Sequence, residues 1–386
     1  MNRLRIGLIG CGKIADQHVC ACRRVADCEI VALCDREVLM AGQLAERSGI
    51  ANCFSDAAEM LRAIQPEVVH ITTPPQGHYL LAKLCLEAGA HVYLEKPFTV
   101  TAMEAAELIR LAQARNLQIT AGHNLQFTPE MLELRRLVAR NFLGGKPVHV
   151  ESHFSYDLGD TSYVGPLLGN RRHWVRQLPG QLLHNILSHG IAKLCEFLED
   201  DVEVIASAHQ SAQLQRLGGE EILDELRVML RDAGGTTAFF CFSTQLKPGR
   251  NELRVCGPKN SLTVDHVSGT LLRHRNRSYK SYLTYFIPPL QAAQQQFRNA
   301  CRNAASFVNG RLHQDAGMKE LVDQFYRSVR GETPPPIPYR EILLTARIMD
   351  EIFAQIYGAE NEVSPARSVL FKPATPPPHV CATKLP

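Results

Sequence analysis

No basic run, no C-x-x-C pair and no apolar stretch of membrane-spanning length occurs in this chain, and each absence removes a class of function. Its 386 residues carry 42 Lys and Arg against 39 Asp and Glu, and a formal net charge of +3 is too small to argue for nucleic acid or a membrane as partner. The densest basic patch, Arg273-His274-Arg275-Asn276-Arg277, reads as a solvated turn or a subunit contact before it reads as a phosphate site. Twelve cysteines are scattered through apparent strands and helices of a large chain, which suits reduced thiols better than a disulfide scaffold. Only a C-x-C occurs, at Cys20 and Cys22, so no metal site is expected. No export signal is evident either, since a cleaved leader would take the first strand with it, and the expected compartment is the cytoplasm.

What is present begins almost at the first residue. Arg5 to Ile9 is a short apolar run suited to a buried parallel strand, and Gly10-Cys11-Gly12-Lys13-Ile14-Ala15 then opens a helical segment. In this G-x-G-x-x-A pattern Gly10 permits the tight turn, Gly12 lets the backbone approach a pyrophosphate, and Ala15 allows close packing of helix on strand. A second strand-like run, Glu29 to Cys34, ends in Asp35, about the ~20 residues onward at which a Rossmann carboxylate meets the adenosine ribose. Asp35 favours NAD over NADP, whereas the guanidinium of Arg36 could instead accept a 2′-phosphate.

With 45% apolar residues the chain can fill two cores. Alternation of strand and helix predicts an α/β Rossmann domain with a doubly wound parallel sheet over residues 1–124. Thr73-Pro74 and Glu95-Lys96-Pro97 follow two of its strands, and in such sheets ligands bind outside the strands' carboxyl ends. Residues 125–360 predict an α+β domain with a large open, mostly antiparallel sheet, helices on one face and the other face available to another subunit. Helices are expected from about Thr284 to Val308, His313 to Arg330 and Ile342 to Tyr357; the tail 361–386, with Pro376-Pro377-Pro378, has little to bury and is expected to be poorly ordered.

Taken in order, G-C-G-K-I-A, T-T-P-P-Q-G-H, L-E-K-P, A-G-H-N-L-Q-F and L-L-H-N-I-L-S-H resemble the glucose–fructose oxidoreductase/inositol dehydrogenase/rhizopine catabolism (Gfo/Idh/MocA) family over nearly the full length. The resemblance implies an NAD(P)-dependent oxidoreductase acting on a secondary alcohol or ketone of a sugar, cyclitol or nucleotide sugar, as a homodimer or homotetramer. It makes Lys96 the catalytic lysine, with Glu95 and Pro97 shaping its turn, and it places Gly10, Gly12, Lys13, Ile14, Asp35, Arg36, Thr73, Pro74, His78, Glu95, Lys96 and Asn124 on the cofactor. The helix Gln181 to Leu198 is similar to the family's D-x-x-x-H helix; His189 is kept, but the aspartate position reads Asn185. Positions four apart share a helix face, so both can reach one substrate, although an amide cannot act as a base. Acid–base duty then falls to Lys96, whose ordinary pKa near ~10.4 has to be lowered, to His189, whose ordinary ~6.5 needs no adjustment, or to both.

In the segment before that helix Arg171, Arg172 and Arg176 could bind the phosphates of a nucleotide sugar and Trp174 could brace the nicotinamide or the substrate, while Tyr156 and Tyr163 are further candidates for sugar contacts. His184 points off the 185/189 face and lacks H-E-x-x-H geometry with His189. Two other activities fit the same resemblance: a non-catalytic, NAD-responsive regulator, and a glycosidase acting by transient oxidation.

Overall fold

The computed structural model describes residues 3–158, 165, 167–219, 221–310 and 316–358, so Tyr163 and the tail from residue 361 lie outside the described residues. Up to residue 121, strands alternate with helices: β1 (Leu4–Ile9), α1 (Ala15–Arg23), β2 (Cys28–Cys34), α2 (Val38–Ser48), β3 (Cys53–Phe54), α3 (Ala57–Ile64), β4 (Val68–Ile71), α4 (His78–Glu87), β5 (His91–Leu94), α5 (Ala102–Ala114) and β6 (Ile119–Ala121). Every pairing is parallel, in the order β3-β2-β1-β4-β5-β6. This is the doubly wound order, with a crevice at the switch between β1 and β4. Central strands β1 and β4 are short, rich in Leu, Ile and Val and, apart from Arg5, buried on both faces, as parallel strands covered by helices must be.

The second sheet follows α6 (Pro129–Ala139) and takes in β7 (His149–Ser155), β8 (Val202–His209), β9 (Glu225–Asp232), β10 (Thr237–Ser243), β11 (Asn251–Cys256), β12 (Asn260–Asp265) and β13 (Thr270–Arg275). Its order is β13-β12-β11-β7-β10-β9-β8, antiparallel throughout except where β7 runs parallel to β10. Helix α7 (Gln181–Cys195) lies on one face of this sheet and is buried along nearly its whole length, and the short α8 (Ala212–Arg216) follows β8. On the opposite face residues alternate outward, leaving Ile205 and Met229 about half exposed. The cysteines of the described residues are free thiols, and no helix among the described residues is long and apolar enough to cross a membrane.

Chain order and core membership part company after α9 (Leu283–Val308). Helix α10 (Ala316–Val329) returns to the first sheet, where Met318, Leu321, Val322, Phe325 and Tyr326 join its core. The last helix, α11 (Tyr339–Tyr357), bridges both units: Ile342 packs in the first core, while Ile348, Ile352 and Phe353 pack in the second. Asp350 accepts from the Ala102 N–H at 2.8 Å and Gln355 accepts from the Ala206 N–H at 2.9 Å, so α11 ties α5 to the edge strand β8. The two units are thereby held with α7 facing the carboxyl ends of β4 and β5.

Close approach of α7 to its sheet depends on Gly190, where a Cβ would overlap the Phe240 ring. Both backbone and ring are buried, so relief needs movement of the helix. Gly190→Ala is therefore expected to cost about 1–3 kcal/mol, read as a lower urea midpoint; an unchanged midpoint would mean that the helix is free to shift.

Candidate active site

The crevice starts from a turn that only glycine can make. Gly10 has φ of +99°, and a Cβ there would sit 2.8 Å from the backbone of both Thr72 and Thr73. Above Gly12, by contrast, a Cβ would meet nothing within 4 Å, which leaves room for a ligand backbone to approach. Asp35, at the end of β2, holds this turn in place: its carboxylate accepts from the Cys11 N–H at 2.7 Å and the Glu37 N–H at 2.9 Å. Lys13 and Arg36 are exposed beside it and Ile14 is half-buried. A dinucleotide fits this cradle, and the Thr73 hydroxyl oxygen, buried with no hydrogen bond among the described residues, is a polar atom still to be satisfied there.

At the end of β5 the Glu95-Lys96-Pro97 turn is built around a buried carboxylate. Glu95 Oε1 lies 3.0 Å from His18 Nε2, and Oε2 accepts from the Lys96 N–H at 3.0 Å. Burial works to raise the Glu95 pKa, but the hydrogen bond from His18, together with Lys96, outweighs it and leaves the group below its ordinary value. His78 is enclosed: Nε2 lies 2.9 Å from the Thr73 carbonyl and Nδ1 2.9 Å from that of Pro97. Both ring nitrogens of this residue, expected at the cofactor, face backbone carbonyls, so the side chain braces two loops that border the cofactor crevice. Glu95 is likewise turned inward as a brace. Asn124 is half-buried and accepts from the Tyr93 hydroxyl at 2.8 Å, while Pro74 is exposed on the loop after β4.

Across the crevice, α7 presents Asn185, His189 and Lys193 at intervals of four. The half-buried Lys96 donates from Nζ to the Asn185 backbone carbonyl at 3.2 Å and to its Oδ1 at 3.3 Å. Since lysine only donates, the amide must turn its oxygen to Lys96. Burial lowers the Lys96 pKa against the opposing charge of Glu95. His189 stacks on Phe154, centroids 5.5 Å apart, and its Nδ1 is buried without a hydrogen-bond partner. Burial first, then Lys96, His123 and Lys193, push its pKa well below the ordinary value. The expectation that His189 titrates unaided near ~6.5 is thus corrected: it is a neutral imidazole at physiological pH. His184 points elsewhere and stacks on Phe353 at 4.8 Å.

Two residues escaped sequence reasoning. His123, at the end of β6, is buried with Nε2 unpartnered, and burial pushes its pKa down to about 4. Lys193, fully buried, donates to Asn251 Oδ1 at 3.0 Å and is pushed down to about 7 by burial, with Glu130 opposing. The only available signals were the His in A-G-H-N and the i, i+4 continuation from His189, and neither reveals burial. Trp174 is half-buried, and its carbonyl accepts from the Gln76 side chain at 2.7 Å, which fastens this segment to the loop after β4. Arg172 is exposed.

A family model described as "Oxidoreductase family, NAD-binding Rossmann fold" matches residues 4–123, and one described as "GFO/IDH/MocA C-terminal domain" matches residues 131–263. D-Glucoside 3-dehydrogenase of Escherichia coli is 34% identical over 142 residues, covering 36% of this chain and 40% of that protein. D-Apiose dehydrogenase of Paraburkholderia graminis is 26% identical over 350 residues, covering 86% of this chain and 88% of that protein. Among solved structures, the WlbA dehydrogenase from Bordetella pertussis in complex with NADH and UDP-GlcNAcA superposes with a TM-score of 0.73 at 18% identity, covering 94% of this chain and 97% of that one. An NAD binding oxidoreductase from Klebsiella pneumoniae gives 0.75 at 22% identity, covering 92% and 97%; at these identities the likeness speaks for the fold.

His123 makes the site acid-sensitive in a defined window. Its folded pKa of about 4 lies below the ordinary 6.5, so on acidification the unfolded chain takes up the proton first. Its contribution is complete above pH ~6.5 and is lost as pH falls towards ~4, at about 1.4 kcal/mol per unit. Between pH 7 and 5, His123→Asn is therefore expected to lose about 2 kcal/mol less stability than the unmodified protein, measured by urea titration; parallel losses would place His123 in water.

Proposed function

Because this chain belongs to the Gfo/Idh/MocA oxidoreductase family, we propose that it is an NAD-dependent dehydrogenase or reductase acting on a secondary alcohol or ketone of a sugar or nucleotide sugar. The observation that carries this reading is the meeting of Lys96, from the end of β5, with Asn185 of α7 across the crevice. Gly10, Gly12, Asp35 and Thr73 would hold the dinucleotide. When bound, nicotinamide supplies the hydride acceptor or donor at C4.

The chain's own residues manage the proton. Lys96, its pKa lowered by burial, exchanges a proton with the substrate oxygen at Nζ, and a cationic nicotinamide beside it would lower that pKa further. Asn185 holds Nζ in place through two carbonyl oxygens, and its amide nitrogen is a donor for a second substrate oxygen. His189, kept neutral and stacked on Phe154, orients a substrate hydroxyl by hydrogen bonding and does not carry charge. Arg172 and Trp174 border the substrate side. The solved relative holding a nucleotide sugar supports an anionic substrate, as does a crevice in which Lys96 meets an amide at position 185 and not a carboxylate. We place subunit contact on the open face of the second sheet, where Ile205 and Met229 are exposed.

Incubation with NAD and a panel of sugars and nucleotide sugars tests the reading through net NADH formation. Glycoside cleavage without net NADH would favour the glycosidase, and saturable ligand binding without either product would favour the regulator. Lys96→Ala is expected to lower kcat by about 10²–10⁴-fold while NAD still quenches protein fluorescence; retained turnover would remove Lys96 from the chemistry. Asn185→Asp places a carboxylate against Nζ and is expected to move the alkaline-going limb of the kcat profile up by about 1 pH unit or more; an unmoved limb would assign the titration to another group.

A further inference from the structure

Helix α9 is amphipathic the wrong way round for a helix packed on its own protein. Its inner stripe is polar: Gln295 accepts from the Arg273 N–H at 2.9 Å and donates to the Arg273 carbonyl at 3.2 Å, while Asn299 donates to the Leu271 carbonyl at 3.0 Å and Asn303 to that of Ser268 at 2.8 Å. These amides cover the free edge of β13, which would otherwise offer a row of unpaired backbone groups. The outer stripe is consequently apolar and faces outward: Phe286 is 61%, Leu290 69% and Phe297 71% exposed, with Leu283 and Val308 continuing the same row. Tyr282 and Tyr285 flank it at the amino-terminal end, also exposed.

The charge around this row is of one sign. Between Asp265 and Asp315 the sequence holds no Asp or Glu and seven Lys and Arg. Arg273, Arg275, Arg277, Arg298 and Arg302 line a groove of about 430 Å³ between β13 and α9. Glu133 answers Arg273 at 2.7 Å, and among the described residues no carboxylate lines the groove itself. Pairing this row with the same row of a second copy would bring these arginines together without offsetting acids. An apolar stripe bordered by arginine and tyrosine matches the interface of an anionic bilayer, where aromatic and aliphatic side chains sit at the acyl boundary and guanidinium groups meet phosphate. The chain-wide net charge of +3, which spoke against a membrane partner, averages this segment away.

We propose that α9 and the arginine groove beside it form a docking surface for the anionic lipid headgroups of a membrane, on which the enzyme lies without spanning it.

Co-sedimentation of the full chain with phosphatidylcholine vesicles, with or without phosphatidylglycerol, tests this. Binding is expected only with phosphatidylglycerol, and added salt should release it. Phe286→Ser/Leu290→Ser/Phe297→Ser should weaken partitioning by at least about tenfold. Arg298→Gln and Arg302→Gln should weaken it about fivefold each, and the far-UV spectrum and catalytic rate on soluble substrate should be unchanged in all variants. Three outcomes would overturn the proposal. The full chain could stay in the supernatant with both vesicles. Sedimentation velocity could show the triple variant breaking an assembly, which would make the row a subunit contact. Inorganic phosphate could stabilise the protein, in a manner lost with Arg298→Gln, without any vesicle binding, which would make the groove a small-anion site.

Discussion

A carboxylate buried at the end of β5 fixes where the rest of the crevice can sit. Glu95 is 5% exposed and lies against Gly122, where a Cβ would come within 2.8 Å of Oε1. An ionised carboxylate in such a place needs donors on both oxygens, since an uncompensated buried charge costs several kcal/mol. His18 and the Lys96 N–H supply them. His18 Nδ1 lies 2.8 Å from His70 Nδ1, and His70 Nε2 lies 2.9 Å from the Tyr326 hydroxyl. One assignment satisfies every contact with neutral rings: Tyr326 donates to His70, His70 to His18, and His18 to Glu95. Burial, with His18, holds His70 well below its ordinary pKa, in keeping with that neutral state. The chain of bonds runs from α10, through two strands and α1, to the backbone that carries Lys96. The geometry of the Lys96 turn thus rests on a helix contributed by the far end of the chain.

Much of this architecture is local in sequence, and that part was readable. Strand, glycine turn and helix at residues 4–23 are contiguous, Gly10 needs its positive φ whatever surrounds it, and Glu95-Lys96-Pro97 follows directly on its strand. The placing of His184 off the Asn185/His189 face also rests only on helical spacing, and the ring does turn away towards Phe353. What the sequence hides is burial and partnership across distance. His18, His70, Glu95 and Tyr326 come from four separate elements, and no spacing rule joins them. His78 and His189 carry the same side chain, yet one clamps two loops by its ring nitrogens and the other is stacked and depressed in pKa; their neighbours in space decide this. Helix α9 is the sharpest case. Its period of apolar residues was legible, but the usual inference that the apolar face points inward fails because the sheet edge at β13 asks for hydrogen bonds, which the amide stripe provides.

The electrostatics of the crevice bear on which group carries the proton. From the sequence, Lys96, His189 or both could take the proton, with histidine favoured by its ordinary pKa. In the folded chain both are disfavoured as cations by burial, and Lys96 further disfavours a charge on His189. The asymmetry comes from hydrogen-bond acceptors: Nζ of Lys96 faces two carbonyl oxygens of Asn185 and has the Glu95 carboxylate nearby, whereas His189 has an aromatic ring on its face and no acceptor at Nδ1. A proton arriving in this site is stabilised at Lys96 and penalised at His189. In the proposed reaction, Asn185 at the position of the usual aspartate would leave the acid–base role with Lys96 and make that role more finely poised. An aspartate would hold the ammonium strongly through charge; an amide holds it only by dipole, so Lys96 gives up its proton more readily.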